Sequence, residues 1–205
     1  MQVQELAPGL WRWSAEHPEW RPGEGWEPNV GCYYAEADDA TLLLDPLLPM
    51  GADEARFWTE LDADVERRGR PVAVLLTTPY HRRSAEVVAA RYDAPIHDGA
   101  RPGDTLPGGV EVLEPSDGAS PLWLPACGAL AVGDALISVG GELRVWWVFH
   151  GEDDEREFNE RWLPMLRGWL ELPVEHVLPG HGEYVPGGLD ALAAALEREP
   201  YEEGI

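Results

Sequence analysis

The chain has 205 residues, 44% of them hydrophobic, with 38 acidic against 15 basic side chains and a formal charge of −23. That apolar share supports a substantial core and excludes a disordered chain, while the negative surface repels phosphate backbones and anionic lipids and argues against nucleic acid or a membrane as partner. Every basic residue is arginine, which excludes a lysine Schiff base and a P-loop.

From the start, VQELAPGLWRWS predicts two short strands around Pro8-Gly9, followed by a loop over 15–29 dense in Pro, Gly and Trp. GCYYAEADDATLLLDP predicts a hairpin turning at Asp38-Asp39. Over 52–68 the apolar residues Phe57, Trp58, Leu61 and Val65 share one stripe, which predicts a helix stopped by Gly69. A strand over 71–77, a helix over 84–92 and a short strand at 95–97 follow. In the second half GVEVLEP, PLWLPA, ALAVGDALISV and ELRVWWV predict strands. A helix over 153–172 carries Phe158, Trp162, Met165, Leu166, Trp169 and Leu170, with a kink or restart at Pro164. A buried strand over 174–178 and a helix over 189–198 close the chain.

The start MQVQELAPGL lacks the basic and apolar segments of a signal peptide, and no apolar run approaches the ~20 residues that cross a bilayer. The expected location is cytoplasmic, with Cys32 and Cys127 as free thiols. Both halves, roughly 1–105 and 106–205, run strands first and then helix–strand–helix. The pattern predicts α/β architecture with mixed sheets facing each other and helices outside, in one domain.

Four strand ends carry polar residues: Leu44-Asp45-Pro46, Leu75-Leu76-Thr77, Gly133-Asp134 and Pro179-Gly180-His181-Gly182. In this order and spacing the chain resembles the metallo-β-lactamase fold superfamily, over roughly Leu10 to Leu196. The resemblance implies a four-layer αβ/βα sandwich of two half-domains, with metals held by loops at one edge of the sheets. The family's motif is H-x-H-x-D-H after the strand ending in Leu-Thr, where imidazoles and a carboxylate gather zinc or iron. Mapped onto this chain it reads Thr78-Pro79-Tyr80-His81-Arg82-Arg83. Thr78 and Tyr80 replace the first two histidines, Arg82 the aspartate and Arg83 the last histidine. The next family histidine falls within Pro115-Ser116-Asp117-Gly118-Ala119-Ser120, which has none.

By the resemblance, Asp134 and His181 are the surviving ligand positions. A carboxylate and one imidazole fall short of the three protein ligands usual in catalytic zinc sites, and arginine stays protonated and does not ligate. The expectation is therefore a lost dinuclear centre and no cofactor. Arg82 or Arg83 would replace the metal charge as partner to Asp134, the alternative being that both point to solvent from the first turn of the helix. A ligand pocket would be lined by Tyr80, Arg82, Arg83 and Asp45, rimmed by Trp20, Trp26, Trp146 and Trp147. The function that follows is a non-catalytic small-molecule-binding or regulatory protein. The alternative is a hydrolase of esters, thioesters or phosphodiesters with a reduced, mononuclear zinc, manganese or iron site. Its catalytic residues would be Asp134, His181 and His81, the last brought inward by a loop shift.

Other groups are weaker candidates. His17 sits in the Trp-rich loop, His97 and His150 have structural or exposed settings, and His176 lies within a strand. Ser84 lacks the acid and oxyanion hole of a nucleophile and fits a helix start. Cys127 lies in a turn with no base nearby in sequence.

Overall fold

The computed structural model describes residues 1–114, 119–147 and 150–202. Among the described residues twelve strands and five α-helices follow one another, joined in places by short 3-10 turns. The first sheet takes β1 (Gln2–Ala7), β2 (Leu10–Glu16), β3 (Asn29–Glu36), β4 (Thr41–Leu44), β5 (Val72–Leu75) and β6 (Ile96–His97) in chain order. β1 to β4 pair antiparallel, whereas β4, β5 and β6 are parallel, because α1 (Ala52–Arg68) and α2 (Ala85–Tyr92) supply the crossovers. The second sheet has the order β12-β9-β8-β7, from β7 (Glu111–Val112), β8 (Leu122–Leu124), β9 (Ala129–Gly133) and β12 (His176–Pro179). β10 (Leu136–Val139) and β11 (Glu142–Val145) form a separate hairpin.

Period-two alternation divides each sheet's side chains between two cores. Leu42, Leu44, Ala73 and Leu75 of the first sheet meet Leu122, Leu124, Ala129, Ala131 and Leu178 of the second. The opposite face of the first sheet, with Leu43, Val72, Val74 and Leu76, packs under Phe57, Leu61 and Val88 of α1 and α2. The opposite face of the second, with Leu130, Val132 and Val177, packs under Phe158, Trp162, Leu166, Leu192 and Leu196. The layers therefore run helix, sheet, sheet, helix. Each fully buried side chain of this size contributes about 1.5–3 kcal/mol relative to exposure.

Local chemistry explains the helix ends. α1 carries Asp53 and Glu54 in its first turn and Arg67 and Arg68 in its last, complementing the helix dipole. Gly69 then turns left-handed and donates its N–H to the Val65 carbonyl. The helix expected over 153–172 divides into α3 (Glu152–Glu157), a π turn at Phe158–Trp162, α4 (Leu163–Gly168) and a final 3-10 turn. Pro164 removes one helical N–H, and the ladder rearranges immediately before it. α5 (Gly188–Glu197) buries Leu192, Ala195 and Leu196.

Two expected strands differ. The run 129–139 breaks into β9 and β10 because Gly133 takes φ +54° and swings the chain out at Asp134. The strand expected over 142–148 ends at Val145, and Val148 lies outside the described residues. No helix among the described residues is long and apolar enough to cross a membrane.

A candidate metal centre at the strand ends

The carboxyl ends of β4, β5, β9 and β12 meet at one edge of the sandwich, and the loops following them carry Asp45, His81, Asp134 and His181. Thr78 starts a 3-10 turn, Pro79–His81, accepting the Tyr80 N–H at its hydroxyl and the His81 N–H at its carbonyl, the latter at 3.0 Å. A 3-10 turn superposes residues three apart. Thr78 and His81 therefore face inward and are each 3% exposed, whereas Tyr80 points out at 81%. This turn places an imidazole inward at position 81.

Asp134 follows the left-handed Gly133, where a Cβ would come within 2.8 Å of the Thr77 hydroxyl. His181 is held from three directions. The Gly31 N–H donates to the Gly180 carbonyl at 2.9 Å, Val30 forms a β-bridge with His181, and the Ser138 N–H donates to the His181 carbonyl at 3.1 Å. Arg12, 2% exposed, donates to the Gly182 carbonyl at 2.7 Å and pairs with Glu183 at 3.3 Å. The Tyr33 hydroxyl donates to the Pro179 carbonyl at 2.7 Å. Gly180 is required where it stands, because a Cβ would lie 2.5 Å from His81 Cε1.

One donor atom from each of His81, Asp134 and His181 converges, all within 4.8 Å of one another. His81 Nε2 lies 3.0 Å and His181 Nε2 3.3 Å from Asp134 Oδ1. Asp134 Oδ1 and His81 Nε2 are both buried and face one another in this contact. Two ligands of a tetrahedral ion at ~2.0–2.1 Å are separated by roughly 3.3 Å, so these spacings suit donors sharing one ion. Two imidazoles and a carboxylate could hold zinc, manganese or iron.

Asp45 supplies the outer contact. Its carboxylate lies 2.9 Å from His81 Nδ1 and accepts the Thr77 N–H at 2.9 Å and the Thr77 hydroxyl. Asp45 sits at φ +47° and Arg83 at φ +34°, left-handed conformations that tertiary contacts must maintain. The Arg83 guanidinium spans the Gly31 and Asp45 carbonyls at 3.3 and 3.2 Å.

The charges are strongly coupled. Burial alone would lower the pKa of His81, yet the negative charges of Asp45 and Asp134 outweigh burial and Arg83, and the net shift is upward. Burial opposes ionisation of Asp134 as well, but both histidines hold its pKa well below the usual carboxylate range. Asp45 is depressed too, the opposing effect of burial being overcome by His81. His181 is lowered, chiefly by burial and despite Asp134.

The expected guanidinium–carboxylate pair with Asp134 is not formed. Arg82 projects outward to Glu86 and to Asp98, the latter at 2.7 Å, because residue 82 follows the inward position of the 3-10 turn. Arg83 lies behind the cluster on backbone carbonyls. Of the four residues expected to line a ligand pocket, Tyr80 lines a cavity of about 460 Å³ that has Asp134 on its wall, whereas Arg82, Arg83 and Asp45 do not. Asp45 is instead buried behind His81 at 3% exposure.

The Trp-rich loop crosses the cluster. Trp26 meets the His181 ring edge-on at 4.6 Å between centroids, Trp146 does so at 5.2 Å, and His17 contacts Trp26 at 5.6 Å. Trp20 pins this loop by donating its indole N–H to the Trp26 carbonyl at 2.8 Å. His97 and His150 are outside the converging group, and His176 bonds the Tyr184 hydroxyl at 2.7 Å. The Ser84 hydroxyl accepts the Leu48 N–H. Of the segment expected to lack a histidine, 115–118 lies outside the described residues, and Ser120 donates to the Ala100 carbonyl at 2.9 Å.

The sandwich, with its converging groups at the strand ends, has the metallo-β-lactamase fold. No family model matches the sequence, and no curated protein matches it. Among solved structures, the metallo-β-lactamase from Erythrobacter litoralis superposes with a TM-score of 0.59 at 14% identity, over 95% of this chain and 90% of that one. The structure of TMB-1 gives 0.61 at 13% identity, over 95% and 94% of the two chains. A metallo-β-lactamase from Pontibacter korlensis gives 0.53 at 16%, over 97% and 99%.

Proposed function

We propose that the chain is a metal-dependent hydrolase with a mononuclear site, in which His81, Asp134 and His181 are the protein ligands. The carrying observation is the convergence of three donor atoms, with His81 Nε2 and Asp134 Oδ1 both buried and facing each other at 3.0 Å. A shared cation would satisfy both atoms at this spacing and compensate the buried carboxylate charge. The Asp45–His81 contact supports the same reading, because a metal-ligating imidazole characteristically donates its other ring N–H to a carboxylate. Donation from Nδ1 to Asp45 leaves the Nε2 lone pair directed at the cluster.

A divalent ion held here would supply Lewis acidity and ease the deprotonation of water near neutral pH. The chain's own residues do the rest. Asp45 fixes the tautomer and plane of His81. Arg12 and the Gly180–Gly182 backbone fix His181. Trp26 and Trp146 wall the His181 ring, and Asp134 joins the cluster to the adjoining cavity. The reaction class is hydrolysis of an acyl or phosphoryl ester bond.

The test is elemental analysis of protein purified without a chelating tag, followed by assay on ester, thioester and phosphodiester panels. One equivalent of zinc, manganese or iron is expected, lost in His81→Ala and in His181→Ala, with hydrolysis lost alongside it. Protein that takes up no metal after equilibration with each of these ions, and is not thermally stabilised by them, overturns the proposal. The second reading is a non-catalytic binding protein. It is favoured by Thr78 and Tyr80 standing where the family motif has imidazoles, and it would follow from that negative result.

A further inference from the structure

Given a hydrolase at this cluster, we infer that its substrate is an acyl ester carrying an organic ammonium group on an apolar body, and that anionic substrates, phosphodiesters included, are disfavoured. The inference rests on the site reading above, but the observations that carry it lie in the adjoining cavity. One wall of the 460 Å³ space is Asp134. The far walls are Trp147, Phe158, Trp162 and Leu166, and the mouth carries Asp154 and Glu157. Trp147 lies against Phe158 and Trp162 at centroid distances of 5.5 and 5.2 Å, tilted by 47° and 50°, so the rings make a faceted aromatic wall. Aromatic faces attract ammonium and guanidinium groups, more strongly where water is excluded. The wall already takes one such contact, with Arg161 placed 5.4 Å from the Trp162 ring centroid while pairing with Glu157 at 3.0 Å.

The field at the mouth has the same sign. The first turn of α3 contributes Glu152, Asp153, Asp154 and Glu155. Asp154 caps the His150 N–H but forms no ion pair among the described residues. No arginine lines the cavity among the described residues, and the chain has no lysine. In the metal-free cavity a carboxylate or phosphate entering past Asp154 and Glu157 would meet like charge on apolar walls, His150 being the one lining residue among those described that can carry positive charge.

The test compares ligands with one aryl body and three charges: 2-phenylethylammonium, 2-phenylethanol and 3-phenylpropanoate. Binding is measured by isothermal titration calorimetry on metal-free protein, so the result is independent of metal uptake and of turnover. The ammonium ligand is expected to bind at least tenfold more tightly than the alcohol, with the carboxylate weakest. The Asp154→Asn/Glu157→Gln double variant, altered only at the mouth, is expected to reduce the ammonium preference to under threefold. Equal binding of all three, tightest binding of the carboxylate, or an ammonium preference unchanged in the double variant overturns the inference. A protein that takes up no metal yet keeps the ammonium preference sinks the hydrolase reading alone and leaves a cation-binding cavity.

Discussion

In the proposed metal site Asp45 would touch no reacting group, yet its position against His81 is expected to govern metal affinity. Asp45→Asn retains an oxygen for the Thr77 N–H, which Asp45 Oδ1 accepts at 2.9 Å. It places an NH2 where Oδ2 lies 2.9 Å from His81 Nδ1. Two N–H donors then face each other. The imidazole relieves this by moving its proton to Nε2, the atom directed at Asp134, and so loses the lone pair that a metal needs. Loss of an outer-shell partner of this kind costs 10–100-fold in metal affinity, or about 1.4–2.7 kcal/mol. Loss of the charge-assisted contact itself removes about 1.5–3 kcal/mol of stability from the metal-free protein. Zinc affinity is read by competition with a chromophoric chelator, and folding by circular dichroism and urea unfolding. Arg82→Ala serves as control, since its partners Glu86 and Asp98 lie outside the cluster. A folded Asp45→Asn protein with zinc affinity within threefold of the parent would refute the reasoning that a carboxylate aims His81.

Two further outcomes are expected. Gly180→Ala drives a methyl into His81 Cε1, where only 2.5 Å is available; Asp45 resists the ring's retreat, so chelator competition should show at least a tenfold loss of zinc affinity and thermal unfolding about 1–3 kcal/mol of lost stability. Burial pushes the Cys32 thiol up to about 11 from 9.0, so the folded state keeps a proton that the unfolded chain releases; this contribution is intact below pH 9 and declines as pH rises towards 11, by up to ~1.4 kcal/mol per pH unit. Urea unfolding between pH 8 and 10.5 should show a shallower decline for Cys32→Ser than for the parent, and identical slopes would contradict it.

Period-two runs and helix stripes were enough to read the layered architecture, because burial on one face dictates both the pattern and the packing. The break at Gly133 was hidden, since glycine inside an apolar run signals equally a tight bend and a close backbone approach. The site was legible in its loops but not in its register. Asp134 and His181 occupy turns whose glycines announce them, and Asp45 ends a strand with a proline behind it. His81 was harder to place, because position-by-position alignment with H-x-H-x-D-H assumes an unchanged turn, whereas the Thr-Pro pair starts a 3-10 turn that shifts the inward position. Proline at the first turn position and threonine as its cap were the available signal. The same shift undoes the expected arginine pair: once residue 81 faces inward, residue 82 faces solvent. Arg12 was also overlooked, although its place between Trp11 and Trp13 in β2 puts a guanidinium where β alternation allows burial. Metal-site degeneration read from missing letters is therefore an argument about side-chain identity at fixed backbone. In this chain the 3-10 turn at Pro79–His81 sets which side chain faces inward, and it brings the imidazole of His81 into contact with Asp134.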